Sequence, residues 1–81
     1  MESVKSPQAQ KWNTEEAARL AREAYRYVGR TYPLDADLEP LGKVDRAVLE
    51  AQERGDWPAY VEALRELCRT ARREAQRRAA A

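Results

Sequence analysis

Apolar residues recur at intervals of three and four through three separate segments of the chain, which is the spacing of one face of an α-helix. In the first segment, Asn13 precedes Glu16 by three residues, as a helix N-cap does. Gly29 follows the last periodic residue, where helices commonly end. This pattern predicts a helix over 13–28. Its apolar positions are Ala17, Leu20, Ala21, Ala24, Tyr27 and Val28.

The second periodic segment follows the loop "RTYPLDADLE". Pro33 favours an extended conformation for the residue before it, so the loop begins with a change of direction. The loop is too apolar to be simply solvated, and we expect it to cover one end of the helices. The expected covering residues are Tyr32, Leu34 and Leu38. Pro40 is tolerated in a first helical turn, and the pattern beyond it predicts a helix over 40–54.

The third segment has the longest apolar stripe and predicts a helix over 57–78. The stripe consists of Trp57, Tyr60, Val61, Leu64, Leu67, Cys68 and Ala71. Before it stands the tripeptide Arg54-Gly55-Asp56, which also occurs in adhesion motifs of extracellular loops. Here Gly55 suits a helix end and Asp56 suits the next N-cap, so we interpret it as a helix corner. Such a short connection predicts that the second and third helices form an antiparallel hairpin.

These elements predict an all-α fold, a small three-helix bundle with the first helix packed across the hairpin. At 81 residues the chain has room for one domain, predicted over 12–78. We expect a flexible N-terminal tail over 1–11 and a frayed C-terminus over 79–81. The apolar residues include no Ile and no Phe, a composition that favours helices over strands.

Composition argues against catalysis and against a metal or cofactor. The chain has no histidine, the commonest general base and metal ligand, and its three glycines do not form a phosphate-binding loop. Cys68 lies on the apolar stripe and is expected to be a core residue with no disulfide partner in the chain. The acids of the loop are expected to face solvent or to serve a helix start. They are Asp35, Asp37 and Glu39.

Arginines form two clusters that are candidate contacts for a partner or for phosphates. The first is a row on one face of the first helix, opposite its apolar face: Arg19, Arg22, Arg26 and Arg30. The second lies near the end of the third helix: Arg69, Arg72, Arg73, Arg77 and Arg78. That helix is expected to be about 33 Å long against about 22 Å for the second, so its basic end is expected to project. Solvated decoration remains an alternative for both clusters.

The leading hypothesis is a non-catalytic helical interaction or adaptor module that binds another protein or itself. For a homodimer we expect contacts from Tyr25, Trp57 and Tyr60. The alternative is a nucleic-acid-binding accessory module that uses the arginines as phosphate contacts. A helix-turn-helix is disfavoured, because Glu50, Arg54 and Asp56 stand where that motif needs apolar residues.

The expected location is the cytoplasm. No apolar run predicts a signal peptide or a membrane anchor, and the net charge of +1 gives no overall attraction to lipid or nucleic acid. A single cysteine fits a reducing compartment. The bias toward arginine and alanine favours an origin in a GC-rich bacterial genome.

Overall fold

The computed structural model describes residues 11–80, and this part of the chain forms three α-helices and no strand. They are α1 (Thr14–Thr31), α2 (Glu39–Arg54) and α3 (Trp57–Ala80). The predicted all-α three-helix bundle is confirmed. Apart from Lys11, the predicted tail over 1–11 lies outside the described residues, as does Ala81 of the segment expected to fray.

The start of α1 is the predicted one, but its end is not. The Glu16 backbone N–H donates to Asn13 Oδ1 at 3.0 Å, which is the expected N-cap. The predicted end at Val28 is wrong, because Gly29 continues the helix with ordinary helical geometry to Thr31.

Pro33, and not Gly29, determines where α1 stops. Tyr32 is the C-cap residue in an extended conformation (φ −71°, ψ 131°), as expected of a residue before proline. Its N–H still donates to the Val28 carbonyl oxygen at 2.8 Å. A glycine inside a helix costs only about 1 kcal/mol, so one further turn that brings Tyr32 into the core outweighs it.

The corner between α2 and α3 is built as predicted. Gly55 has a φ of 65°, the left-handed conformation that terminates helices. The Asp56 N–H donates to the Ala51 carbonyl oxygen at 3.0 Å, and Asp56 Oδ1 accepts the Ala59 N–H at 3.2 Å. The tripeptide is therefore a helix corner, and α2 and α3 form the antiparallel hairpin.

Both α1 and α2 pack against α3, whereas no Cα atom of α1 lies within 8 Å of one in α2. Two long-range contacts give the direction of α1. The Tyr60 hydroxyl donates to the Ala17 carbonyl oxygen at 2.9 Å near the start of both helices, and Arg78 forms an ion pair with Asp35 at the other end. Thus α1 runs parallel to α3 and lies along it, instead of crossing the hairpin.

The core is centred on α3, which supplies more than half of its buried side chains. Trp12 closes the end near the helix corner, with its ring centroid 5.3 Å from that of Trp57 and 4.7 Å from that of Tyr60. The buried residues are Ala17, Ala24, Val28, Tyr32, Val48, Ala51, Trp57, Tyr60, Ala63, Leu64, Leu67, Thr70 and Ala71.

Two sequence-based expectations about the core are wrong. Trp57 and Tyr60 are only 7% and 2% exposed, so they pack inside one chain and do not face a second copy. Leu34 and Leu38 are 100% and 66% exposed, and of the three expected covering residues only Tyr32 is buried. The hydroxyl of Tyr32 donates to the Asp37 carbonyl oxygen, which closes the loop locally and leaves both leucines outside.

Candidate functional site

An open groove between α1 and α3 has an apolar floor and a volume of about 490 Å³. The floor consists of Leu20, Ala24, Val61, Leu64 and Cys68. Glu23 stands on the α1 rim, and Arg65, Arg69 and Arg72 stand on the α3 rim. Leu20, Val61 and Cys68 are half-buried, so each presents apolar surface to solvent.

The groove stays open because α2 packs on the other side of α3. Thr70 and Glu66 line the opposite crevice together with Pro40 of α2. Cys68 and Thr70 are two residues apart, which places them about 160° apart around a helix. One neighbouring helix cannot cover so wide an apolar arc, and α1 covers only part of the remainder.

The α3 rim of the groove carries positive charge with no partner inside the described structure. Arg69 is occupied, since it pairs with Glu62 and, at 3.0 Å, with Glu66. Arg65 and Arg72 form no ion pair with any residue in 11–80. They are seven residues apart on one line of the helix, a separation of about 10.5 Å.

The α1 rim is different, because Glu23 already has a partner. Its carboxylate pairs with Arg19 at 3.0 Å. Arg19 also pairs with Glu16, and this hydrogen bond lowers the pKa of the Glu16 carboxyl while raising the pKa of the Arg19 guanidinium. The groove thus has one rim with unpaired cations and one that is internally neutralised.

Cys68 belongs to the apolar floor and has no activated thiol. Burial raises the pKa of the Cys68 thiol, and the positive charge of Arg72 opposes that effect without reversing it. A raised thiol pKa keeps the group protonated and weakly nucleophilic at neutral pH. The expectation of a core cysteine holds for one side of the residue, while its other side lines the groove.

The predicted arginine row on α1 lies outside the groove. Arg22, Arg26 and Arg30 are exposed on the outer face of the helix and form no ion pair with the described residues. Arg19, the fourth member, is held by Glu16 and Glu23. The row is therefore a surface of three unpaired cations that faces away from α3.

The predicted basic cluster near the end of α3 is largely neutralised. Besides Arg69, three more of its arginines have acidic partners: Arg73 pairs with Glu66, Arg77 with Glu74 and Arg78 with Asp35. Within this cluster, Arg72 is the one member that forms no ion pair with the described residues. The end of α3 was expected to project freely, but the loop that carries Asp35 and Asp37 packs beside its last turns.

The sequence-based interpretation missed the groove residues Leu20, Val61 and Arg65 as parts of one site. The first two were assigned to the core, and Arg65 to a solvated face. A signal was present in the width of the α3 stripe, which with Ala63 added spans about 160° from Ala63 to Val61 at 100° per residue. In the structure, α1 and α2 leave Val61 and Cys68, at one edge of this arc, partly exposed.

The acidic residues of the loop between α1 and α2 make contacts within the fold. In 11–80 there is no group of three or more His, Cys, Asp or Glu side chains placed to hold a metal ion. The loop acids are used within the fold, since Asp35 pairs with Arg78 and Asp37 Oδ1 accepts the Glu39 N–H at 3.0 Å. None of the three described helices is both long and apolar enough to cross a membrane.

Comparison with known proteins gives no family for this chain. No protein-family model, no curated protein and no solved structure matches the chain.

Proposed function

We propose that the protein is a non-catalytic interaction or adaptor module that binds another protein through the groove between α1 and α3. The observation that carries this proposal is an apolar floor left open beside two unpaired arginines. Covering the floor removes apolar surface from water, at roughly 25 cal/mol for each Å² buried. The groove offers no general base, since the chain has no histidine and Glu23 is paired with Arg19.

The proposal is tested by capture from the native lysate with two variants that add the same charge in different places. Val61→Glu puts a carboxylate on the groove floor, while Ala18→Glu puts one on an exposed position of α1 outside it. We expect the wild type and A18E to capture partners that remain bound after nuclease treatment, and we expect V61E to lose them. Circular dichroism melts establish that both variants are folded. Equal capture by the two variants would contradict the proposal.

A nucleic-acid-binding accessory module is the second candidate, and it rests on the outer face of α1. Arg22, Arg26 and Arg30 are the observation that favours it, because none has an ionic partner in the described structure. Binding through them would weaken steeply with added salt, owing to the release of counterions from the phosphates. Replacing all three by Glu should abolish binding to a labelled duplex or single strand, and retained binding would rule out this face.

A further inference from the structure

We infer that the segment bound in this groove is an amphipathic α-helix of another protein, with acidic residues along one edge of its apolar stripe. This inference rests on the function proposed above and specifies the partner. It follows from the length of the groove, from the charges on its two rims and from the absence of a matching surface on the described helices of this chain.

The shape of the groove favours a helix. Its α3 wall runs from Val61 to Arg72, about 16 Å or three helical turns. An extended segment would need backbone hydrogen bonds in an apolar site, and residues 11–80 contain no strand edge to provide them. A helix makes its own backbone hydrogen bonds and presents apolar anchors at every third or fourth position. Leu64 and Cys68 of the floor are likewise four residues apart, so the spacings of the two surfaces match.

The two rims specify an asymmetric charge pattern. Arg65 and Arg72 lie two turns apart, so acids seven residues apart on a helix alongside α3 would meet both of them. The opposite rim offers acids no unpaired cation, because Glu23 is neutralised there by its ion pair with Arg19. We therefore expect the partner to be acidic on the edge that faces α3 and neutral or basic on the edge that faces α1.

A second copy of this chain does not present such a helix in the described residues. Its large exposed apolar side chains are Tyr25, Leu34, Leu38 and Leu49. Leu34 and Leu38 precede α2, and the remaining two stand singly on α1 and α2. Outside the groove itself, the described helices thus expose no stripe of anchors at three- and four-residue spacing, so we expect the partner to be a different protein.

The test uses labelled helical peptides and the full chain, with binding measured by fluorescence anisotropy at low salt. The probe is a three-turn to four-turn peptide with leucines at helical spacing and glutamates seven residues apart on one edge. The matched peptide carries lysines in place of the glutamates. We expect the acidic peptide to bind at least about tenfold more tightly than the basic one. The protein variant with Arg65→Glu and Arg72→Glu should reverse that preference.

A protein control separates the groove from general charge effects. Arg22→Glu with Arg26→Glu makes the same change in net charge on the outer face of α1, and it should leave the preference for the acidic peptide unchanged. Slower alkylation of the Cys68 thiol in the presence of the acidic peptide should accompany binding, because this residue lies in the floor. Equal affinity for the two peptides, or no saturable binding up to about 1 mM of either, would overturn the inference.

The outcomes also distinguish this inference from the function on which it rests. Capture that is lost with V61E, together with no peptide preference, leaves the interaction module standing and removes the acidic helix. Capture that V61E does not change removes both. A concentration-dependent mass in sedimentation that V61E abolishes would identify a second copy as the occupant and would overturn the inference.

Discussion

Tyr60 joins the first and third helices through both ends of its side chain. Its ring packs edge-on against Trp12, with 4.7 Å between the ring centroids, and its hydroxyl donates to the Ala17 carbonyl oxygen at 2.9 Å. The residue is 2% exposed. A single residue thus satisfies a helix carbonyl and fills the core, and the two contributions can be measured separately.

Tyr60→Phe should lower the free energy of unfolding by about 1 kcal/mol, because it removes one buried hydrogen bond and keeps the ring. Tyr60→Ala should cost about 3–5 kcal/mol, since it also leaves a cavity. Urea unfolding followed by circular dichroism measures both. Tyr27→Phe is the matched control, because Tyr27 is half-buried and its hydroxyl makes no hydrogen bond with the described residues. A similar loss in Tyr27→Phe and Tyr60→Phe would contradict the assigned role.

Alkaline pH should destabilise the protein through three tyrosines whose hydroxyl groups are shielded from water or hydrogen-bonded to an acid. Burial raises the pKa of Tyr60 and of Tyr32 above the ordinary value, and burial together with the hydrogen bond to Asp45 raises the pKa of Tyr25. A raised folded-state pKa contributes stability that is complete below the unfolded pKa of about 10 and is lost as pH rises above it.

The expected slope is up to about 1.4 kcal/mol per pH unit for each tyrosine that stays protonated while its unfolded counterpart ionises. Urea midpoints between about pH 8 and pH 11 measure it, with ultraviolet absorbance reporting tyrosinate formation. Tyr60→Phe should flatten the slope relative to the wild type. A free energy of unfolding that stays constant across that range would show that these side chains ionise freely in the fold.

At the scale of elements, the two glycines at predicted helix ends turn out to have different conformations. Gly55 has a φ of 65°, whereas Gly29 has no positive φ and lies inside α1. Both residues follow a periodic run, so sequence pattern treats them alike. They differ in how soon a residue follows that ends the helix. Pro33 stands four residues after Gly29, whereas Asp56 directly follows Gly55 and is the next N-cap.

Alanine should therefore have opposite effects at these two positions. Gly29→Ala should stabilise the protein by about 0.5–1 kcal/mol, because alanine favours the helix and its Cβ atom would have no neighbouring heavy atom within 4 Å. Gly55→Ala should destabilise it by about 1 kcal/mol through the left-handed conformation. Thermal unfolding of both variants measures the difference. Effects of the same sign would contradict the assigned ends of α1 and α2.

At the scale of the whole molecule, α3 is the element on which the other two depend. Both α1 and α2 pack against it, and they meet each other through the hydrogen bond from Tyr25 to Asp45. Loss of either flanking helix would expose one side of α3, and loss of α3 would leave no core. The central part of α3 should therefore open only when the whole molecule unfolds.

Hydrogen exchange should reflect this arrangement. Amides from Leu64 to Ala71 should exchange with the free energy of global unfolding, whereas amides beyond Arg73 should exchange much faster, because the residues there are mostly exposed. Mass spectrometry of peptic fragments, or NMR, measures both. Uniform protection along α3 would show that its last turns are held more firmly than the ion pair between Arg78 and Asp35 suggests.

The sequence by itself determined the three helices, the caps at Asn13 and Asp56, the left-handed Gly55 and the antiparallel hairpin. These features depend on contacts between residues a few positions apart, and such contacts can be predicted from the spacing of apolar, capping and turn residues. The sequence also excluded any chemistry that needs a histidine side chain, because the absence of histidine is known from composition without the fold. The end of α1 was misplaced because the choice between Gly29 and Pro33 depends on the burial of Tyr32 in the core.

Only the tertiary structure decided which side of α3 stays open and which arginines remain unpaired. Arg78 is neutralised by Asp35, which is more than forty residues away in the sequence. Arg65 and Arg72 become candidate binding residues only because the groove lies beside them. Side chains far apart in sequence meet only after α1 has taken its direction along α3. The groove is the product of that packing, since two flanking helices cover part of an apolar arc about 160° wide and leave the rest exposed.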